Sequence, residues 1–86
     1  VSKPVYHRTV EEMWYFLDGV GQVWRKQGDM ESVVDVRQGV SLTIPIGTHF
    51  QFRTIGELPL QFIITTMPAW PGPDEAVLLE QGKWDA

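Results

Sequence analysis

Short apolar runs divided by turn residues are the feature of this sequence that most constrains its fold. Segments of about four to eight apolar, aromatic or β-branched residues recur along the chain, and Gly, Asp or Pro residues separate them. Residues of these types favour strands, and no segment has the length and spacing of an amphipathic helix. The pattern therefore predicts an all-β domain of short antiparallel strands, arranged as a sandwich or a barrel.

The runs and their turns predict eight strands. By residue number these are 3–8, 12–17, 21–26, 31–37, 40–44, 49–54, 60–66 and 76–79. Prolines surround Trp70 beyond residue 67, so this part is predicted to be an extended arm that finishes in the last short strand. We therefore divide the chain into a β-barrel over residues 1–67 and a C-terminal arm over residues 68–86, which packs on the barrel or on a partner subunit.

The composition argues against several classes of protein. The chain has 86 residues, no cysteine and a formal net charge of −4 at pH 7. Without cysteine it has neither a disulfide framework nor a thiolate metal site. Its seven basic residues are scattered, which does not suit a nucleic-acid partner, and no apolar run approaches the ~20 residues that span a bilayer. We expect a soluble, cytoplasmic protein that binds neither nucleic acid nor membrane.

The second predicted strand is apolar on both of its faces. One face carries Trp14 and Phe16, and the other carries Met13, Tyr15 and Leu17. Because a monomeric barrel needs only an apolar inner face, something else has to cover the second one. The C-terminal arm and a second subunit in a homodimer are the two candidates.

Two segments resemble the two sequence motifs of the cupin family. Residues 5–19 read Val5-x-His7-x4-Glu12-x6-Gly19, which is similar to the first cupin motif, Gly-x5-His-x-His-x3–4-Glu-x6-Gly. Residues 39–54 read Gly39-x5-Pro45-x-Gly47-x2-Phe50-x3-Thr54, which is similar to the second, Gly-x5-Pro-x-Gly-x2-His-x3-Asn. In this respect the chain resembles small single-domain bacterial cupins. The resemblance implies a cupin-type jelly-roll β-barrel of short antiparallel strands.

The resemblance also implies a metal site that is incomplete in this chain. Metal-binding cupins use three His and one Glu to hold a divalent ion such as Zn, Fe, Mn or Ni. The matching positions are Val5, His7, Glu12 and Phe50, so that only His7 and Glu12 remain as ligands. His49 lies one position before the third His and points outward in the simple register. A bulge would turn it inward and give a set of His7, Glu12 and His49.

His7 and Glu12 have two further interpretations. They are the candidates for a catalytic general base and the carboxylate that orients it, because a carboxylate partner raises the basicity of an imidazole. They are equally interpretable as a hydrogen-bonded pair in the barrel mouth with no chemistry.

Aromatic side chains at alternating strand positions are candidates for the wall of a ligand pocket or for a packed core. These are Trp14, Phe16, Trp24, Phe50, Phe52 and Phe62. Gln51, Arg53 and Gln61 are expected at the polar rim or in solvent.

Three functions are compatible with these features. The first is a cupin that binds a small molecule in an aromatic-lined barrel beside an incomplete metal site. The second is a metal-dependent cupin enzyme, by resemblance an isomerase, epimerase or oxygenase, that uses His7, Glu12 and His49. The third is a structural or dimerisation module with a filled barrel.

Overall fold

The computed structural model describes all 86 residues as an all-β domain of eight strands. The strands are β1 (Val5–His7), β2 (Glu11–Asp18), β3 (Val20–Gln27), β4 (Met30–Arg37), β5 (Ser41–Ile44), β6 (His49–Thr54), β7 (Gln61–Met67) and β8 (Ala76–Leu78). The eight predicted strands are confirmed, with differences of one or two residues at most of their ends. No helix of the structure is long and apolar enough to cross a bilayer.

The strands form two antiparallel sheets. The larger sheet has the order β4-β3-β6-β1-β8, and the smaller sheet has the order β5-β2-β7. Only the β3–β4 connection joins two strands of the same sheet, because every other connection crosses from one sheet to the other. The predicted turns at Gly39 and Gly47 have φ angles of 90° and 78°, a region that glycine enters without a steric penalty.

The core lies between the two sheets and is predominantly aromatic and aliphatic. It consists of Trp14, Phe16, Val23, Val36, Leu42, Ile44 and Phe50, with Phe52 and Phe62 packed against it. The Trp14 ring is central, since it lies within 6.3 Å, centroid to centroid, of the rings of Phe16, Phe50, Phe52 and Phe62. No cavity in the structure is lined by any of these aromatic residues, so the interior is filled by its own side chains.

Trp24 is buried, as expected of a core residue, but it does not line the interior between the sheets. Val23 is fully buried in the core, and successive side chains of a strand point to opposite faces, so Trp24 lies on the outer face of the larger sheet. There its indole Nε1 donates a hydrogen bond to Glu31 Oε1 at 2.7 Å.

The C-terminal arm contacts the chain's own larger sheet. Strand β8 pairs with β1, and the following residues cross the outer face of β6. The Gln51 side-chain amide is fully buried there, where it donates to the carbonyls of Ser2 and Trp84 and accepts from the Trp84 amide. The expectation that Gln51 lies at a rim or in solvent is therefore wrong. Arg53 is half-buried, with its guanidinium 4.3 Å from the centroid of the Trp84 ring, whereas Gln61 is exposed as expected.

Candidate functional site

His7 and Glu12 lie together at one end of the space between the sheets. His7 ends β1 in the larger sheet and Glu12 belongs to β2 in the smaller sheet, and both are about 95% buried. His7 Nδ1 is 3.6 Å from Glu12 Oε2, which is too long for a hydrogen bond. The other carboxylate oxygen, Glu12 Oε1, accepts a 2.8 Å hydrogen bond from Trp14 Nε1. Glu12 thus has a partner in the core, whereas His7 Nδ1 has none.

Two aromatic rings hold the His7 imidazole in place. The rings of Phe50 and Trp70 lie 5.0 and 5.1 Å from it and meet it edge to face. Trp70 therefore covers His7. The arm was one of the two structures expected to cover the apolar face of β2, and Trp70 does not lie there. Met13, Tyr15 and Leu17 remain between 42% and 47% exposed.

A second buried carboxylate, Glu75, lies close to this pair. Glu75 immediately precedes β8, and its carboxylate accepts hydrogen bonds from the Thr9 amide at 2.6 Å, the Thr9 hydroxyl at 2.5 Å and the Val10 amide at 2.9 Å. Burial acts to raise its pKa, but these hydrogen bonds and the nearby charge of His7 outweigh burial, so the pKa lies below the ordinary value of 4.5.

Sequence reasoning missed Glu75, because nothing in the residues around it indicates that its carboxylate is buried. The partners of Glu75 are 65 and 66 residues away in the chain, so no local pattern indicates the contact. Only the pairing of β8 with β1 brings Glu75 to the β1–β2 turn.

His49 does not join His7 and Glu12. Its neighbour Phe50 belongs to the core, and the alternation along β6 directs His49 to the outer face, where its ring lies 5.4 Å from that of Tyr6. The inward rotation that a three-ligand set requires is therefore absent. No group of three or more His, Asp and Glu side chains lies close enough together to hold a metal ion. The donor set does not fit the divalent metal that the cupin resemblance implies.

A cavity of about 190 Å³ opens at an end of the space between the sheets, and we call it the mouth cavity. It is lined by Arg25, Gln27, Met30, Glu31, Ser32, Pro45 and Thr48. Arg25 shares the inward face of β3 with Val23 and reaches across to the smaller sheet, where its Nη1 donates to the Thr43 carbonyl at 2.7 Å. The mouth cavity is therefore bordered by both sheets, and most of its lining side chains are polar.

The mouth cavity adjoins His7 through the β5–β6 turn. The Gly47 amide donates to the His7 carbonyl at 3.0 Å, which holds this turn against the end of β1. Thr48 belongs to the same turn, lines the cavity and is 2% exposed. The Thr48 hydroxyl and His7 Nδ1 are the two buried side-chain polar atoms of the structure that lack a hydrogen-bond partner. Sequence reasoning missed Arg25, Ser32 and Thr48 because they lie on three separate segments.

Comparisons with protein-family models, with curated proteins and with solved structures find no match to this chain.

Proposed function

We propose that this chain is a small cupin-type jelly roll that binds a small hydroxycarboxylate in the mouth cavity. Support for the jelly roll comes from the two cupin-like motifs and from eight strands in two sheets whose connections nearly all cross between the sheets. The filled aromatic interior argues against the ligand position first expected, within the barrel among Trp14, Phe16 and Phe62. The ligand position we propose is the mouth cavity, where five of the seven lining residues are polar.

The observation that carries the proposal is a cavity with five polar lining residues, one of which, Thr48, has a buried hydroxyl without a partner. A buried polar group without a hydrogen bond costs about 1–3 kcal/mol, and most such groups in folded proteins are satisfied. Thr48 lines the cavity and its hydroxyl has no partner, so we expect a polar molecule bound there to supply one.

The side chains that line the mouth cavity indicate which class of ligand it would bind. Arg25 supplies a guanidinium, which is suited to a carboxylate. Gln27, Ser32 and Thr48 supply amide and hydroxyl groups suited to ligand hydroxyls. The lining also contains the Glu31 carboxylate, whose Oε1 accepts a hydrogen bond from the Trp24 indole. The cavity volume of about 190 Å³ suits a small compound, since pockets for drug-sized ligands have roughly 300–1,000 Å³.

Isothermal titration calorimetry with lactate, malate and tartrate tests the proposal, with erythritol as the uncharged control compound. We expect at least one acid to bind with a Kd below about 1 mM and erythritol to bind at least tenfold more weakly. Arg25→Gln should weaken acid binding about tenfold or more, because it removes a charged hydrogen-bond donor worth about 1.5–3 kcal/mol.

Arg37→Gln is the matched control, since Arg37 is exposed and lies outside the mouth cavity. It should leave acid binding unchanged. Binding of no acid at concentrations up to about 10 mM, or equal effects of the two Arg variants, would contradict the proposal.

A further inference from the structure

The outward side of the smaller sheet exposes a contiguous set of large apolar side chains, which we call the outer apolar face. It consists of Met13, Tyr15 and Leu17 on β2 and of Ile63 and Met67 on β7, each between 42% and 53% exposed. Ser41 and Thr43 of β5 pair with Tyr15 and Met13 and complete the face with hydroxyl groups. None of these seven residues carries a charge, although the chain as a whole has a net charge of −4.

The position of β2 limits what can cover the outer apolar face. Strand β2 lies in the middle of its sheet, between β5 and β7, so a strand added at either edge would leave its outward side chains in water. Only a layer packed over the face buries them. The C-terminal arm does not do so, because Trp70 packs against His7 and Trp84 packs against Arg53 of the larger sheet.

The exposed area matches the apolar part of a protein–protein interface. At roughly 200 Å² for a large residue, five residues that are about half exposed present on the order of 500 Å². A standard interface buries about 800 Å² per partner, and about 65% of a homodimer interface is apolar, which again gives on the order of 500 Å². A single patch of this size is at the upper end of what monomeric proteins expose.

We propose that a second copy of this chain packs on the outer apolar face about a two-fold axis. A two-fold interface places the same patch on both partners, so the seven uncharged residues of one copy meet the same seven of the other. The acidic residues Glu11 and Asp18 lie at the two ends of β2 and border the face. Their charges oppose contact with an anionic membrane surface or a nucleic acid.

Light scattering coupled to size-exclusion chromatography tests this dimer. At about 0.1 mM chain, an interface of standard size is expected to be populated, since such interfaces have micromolar or lower Kd values. The wild-type protein should therefore have twice the monomer mass of 9.8 kDa. Ile63→Lys and Met13→Lys should each return the mass to that of a monomer, because they place a charge in the apolar contact.

Val33→Lys is the matched control, because Val33 is 43% exposed on a strand of the larger sheet. It should remain a dimer. A circular dichroism spectrum unchanged from that of the wild type would show that the lysine variants are folded. A monomeric wild-type protein at 0.1 mM, or folded Ile63→Lys and Met13→Lys variants that remain dimeric, would overturn the proposal.

Discussion

The carboxylate of Glu75 connects the C-terminal arm to the turn between β1 and β2. Its oxygens accept three hydrogen bonds from Thr9 and Val10. Burial raises the pKa of Glu75, but the hydrogen bonds and the charge of His7 lower it further, so that it lies below 4.5. A carboxylate whose pKa is lower in the folded state than in the unfolded state stabilises the fold fully above the unfolded pKa. That contribution is lost as the pH falls through the folded pKa.

We therefore expect acid to weaken the attachment of the arm. The urea midpoint of the wild-type protein should fall as the pH is lowered from about 6 to about 3. In Glu75→Gln the midpoint should be lower at pH 6, and its dependence on pH should be smaller. Asp74→Asn is the control, since Asp74 is an exposed carboxylate next in the chain and should keep the wild-type dependence. Equal pH dependence in wild type and Glu75→Gln would show that Glu75 does not hold the arm.

Glu12 differs from His7 in how its buried polar atoms are satisfied. The indole of Trp14 donates to Glu12, so this carboxylate is anchored within the core and its position is fixed by strand β2 alone. His7 is held by aromatic edges and has no hydrogen bond at Nδ1. Of the two buried side chains, His7 is the one that leaves a polar atom without a hydrogen bond.

At the scale of single elements, the strands were predictable because their signals are local. Turn glycines and the alternation of apolar residues give all eight strands, and the alternation within β2 correctly separates Trp14 and Phe16 from Met13. The same alternation along β3 places Trp24 on the face opposite to that of the core residue Val23. The burial of Gln51 was not predictable, because it depends on a tail segment that is 33 residues away.

Strand β3 also contains a glycine, Gly21, at a position with no room for a larger side chain. A Cβ at Gly21 would overlap the carbonyl oxygen of Arg53 and lie 2.6 Å from Leu60 Cδ1. Gly21→Ala should therefore destabilise the fold by about 2–3 kcal/mol, because the crowded atoms include backbone. Urea denaturation provides the free energy of unfolding.

Gly28→Ala provides the comparison for Gly21→Ala. Gly28 has a φ of 60° but nothing within 4 Å of an added Cβ, so its cost should be limited to about 1 kcal/mol of backbone strain. If Gly21→Ala costs no more than Gly28→Ala, the close approach of β3 to the chain at Arg53 and Leu60 is wrong.

At the scale of the whole molecule, the two sheets enclose a filled core. His7, Glu12 and the mouth cavity lie at one end of it. His7 and Glu12 come together as expected, because both belong to the short segment over residues 5–19 and lie on strands of facing sheets. The predicted set of three metal ligands does not form, because the alternation of side chains along β6 directs His49 to the outer face. The mouth cavity could not be predicted, since β3, β4 and the β5–β6 turn meet there only in the folded chain.

A ¹H–¹⁵N correlation spectrum of the labelled protein, recorded during titration with the tightest-binding hydroxycarboxylate, tests the central claim most directly. We predict saturable shifts of the amide signals of Arg25, Ser32 and Thr48, with those of Trp14, Phe16 and Phe62 unchanged. Shifts centred on Trp14, Phe16 and Phe62 would instead locate the ligand in the aromatic interior, and the absence of any saturable shift at the mouth cavity would contradict the account.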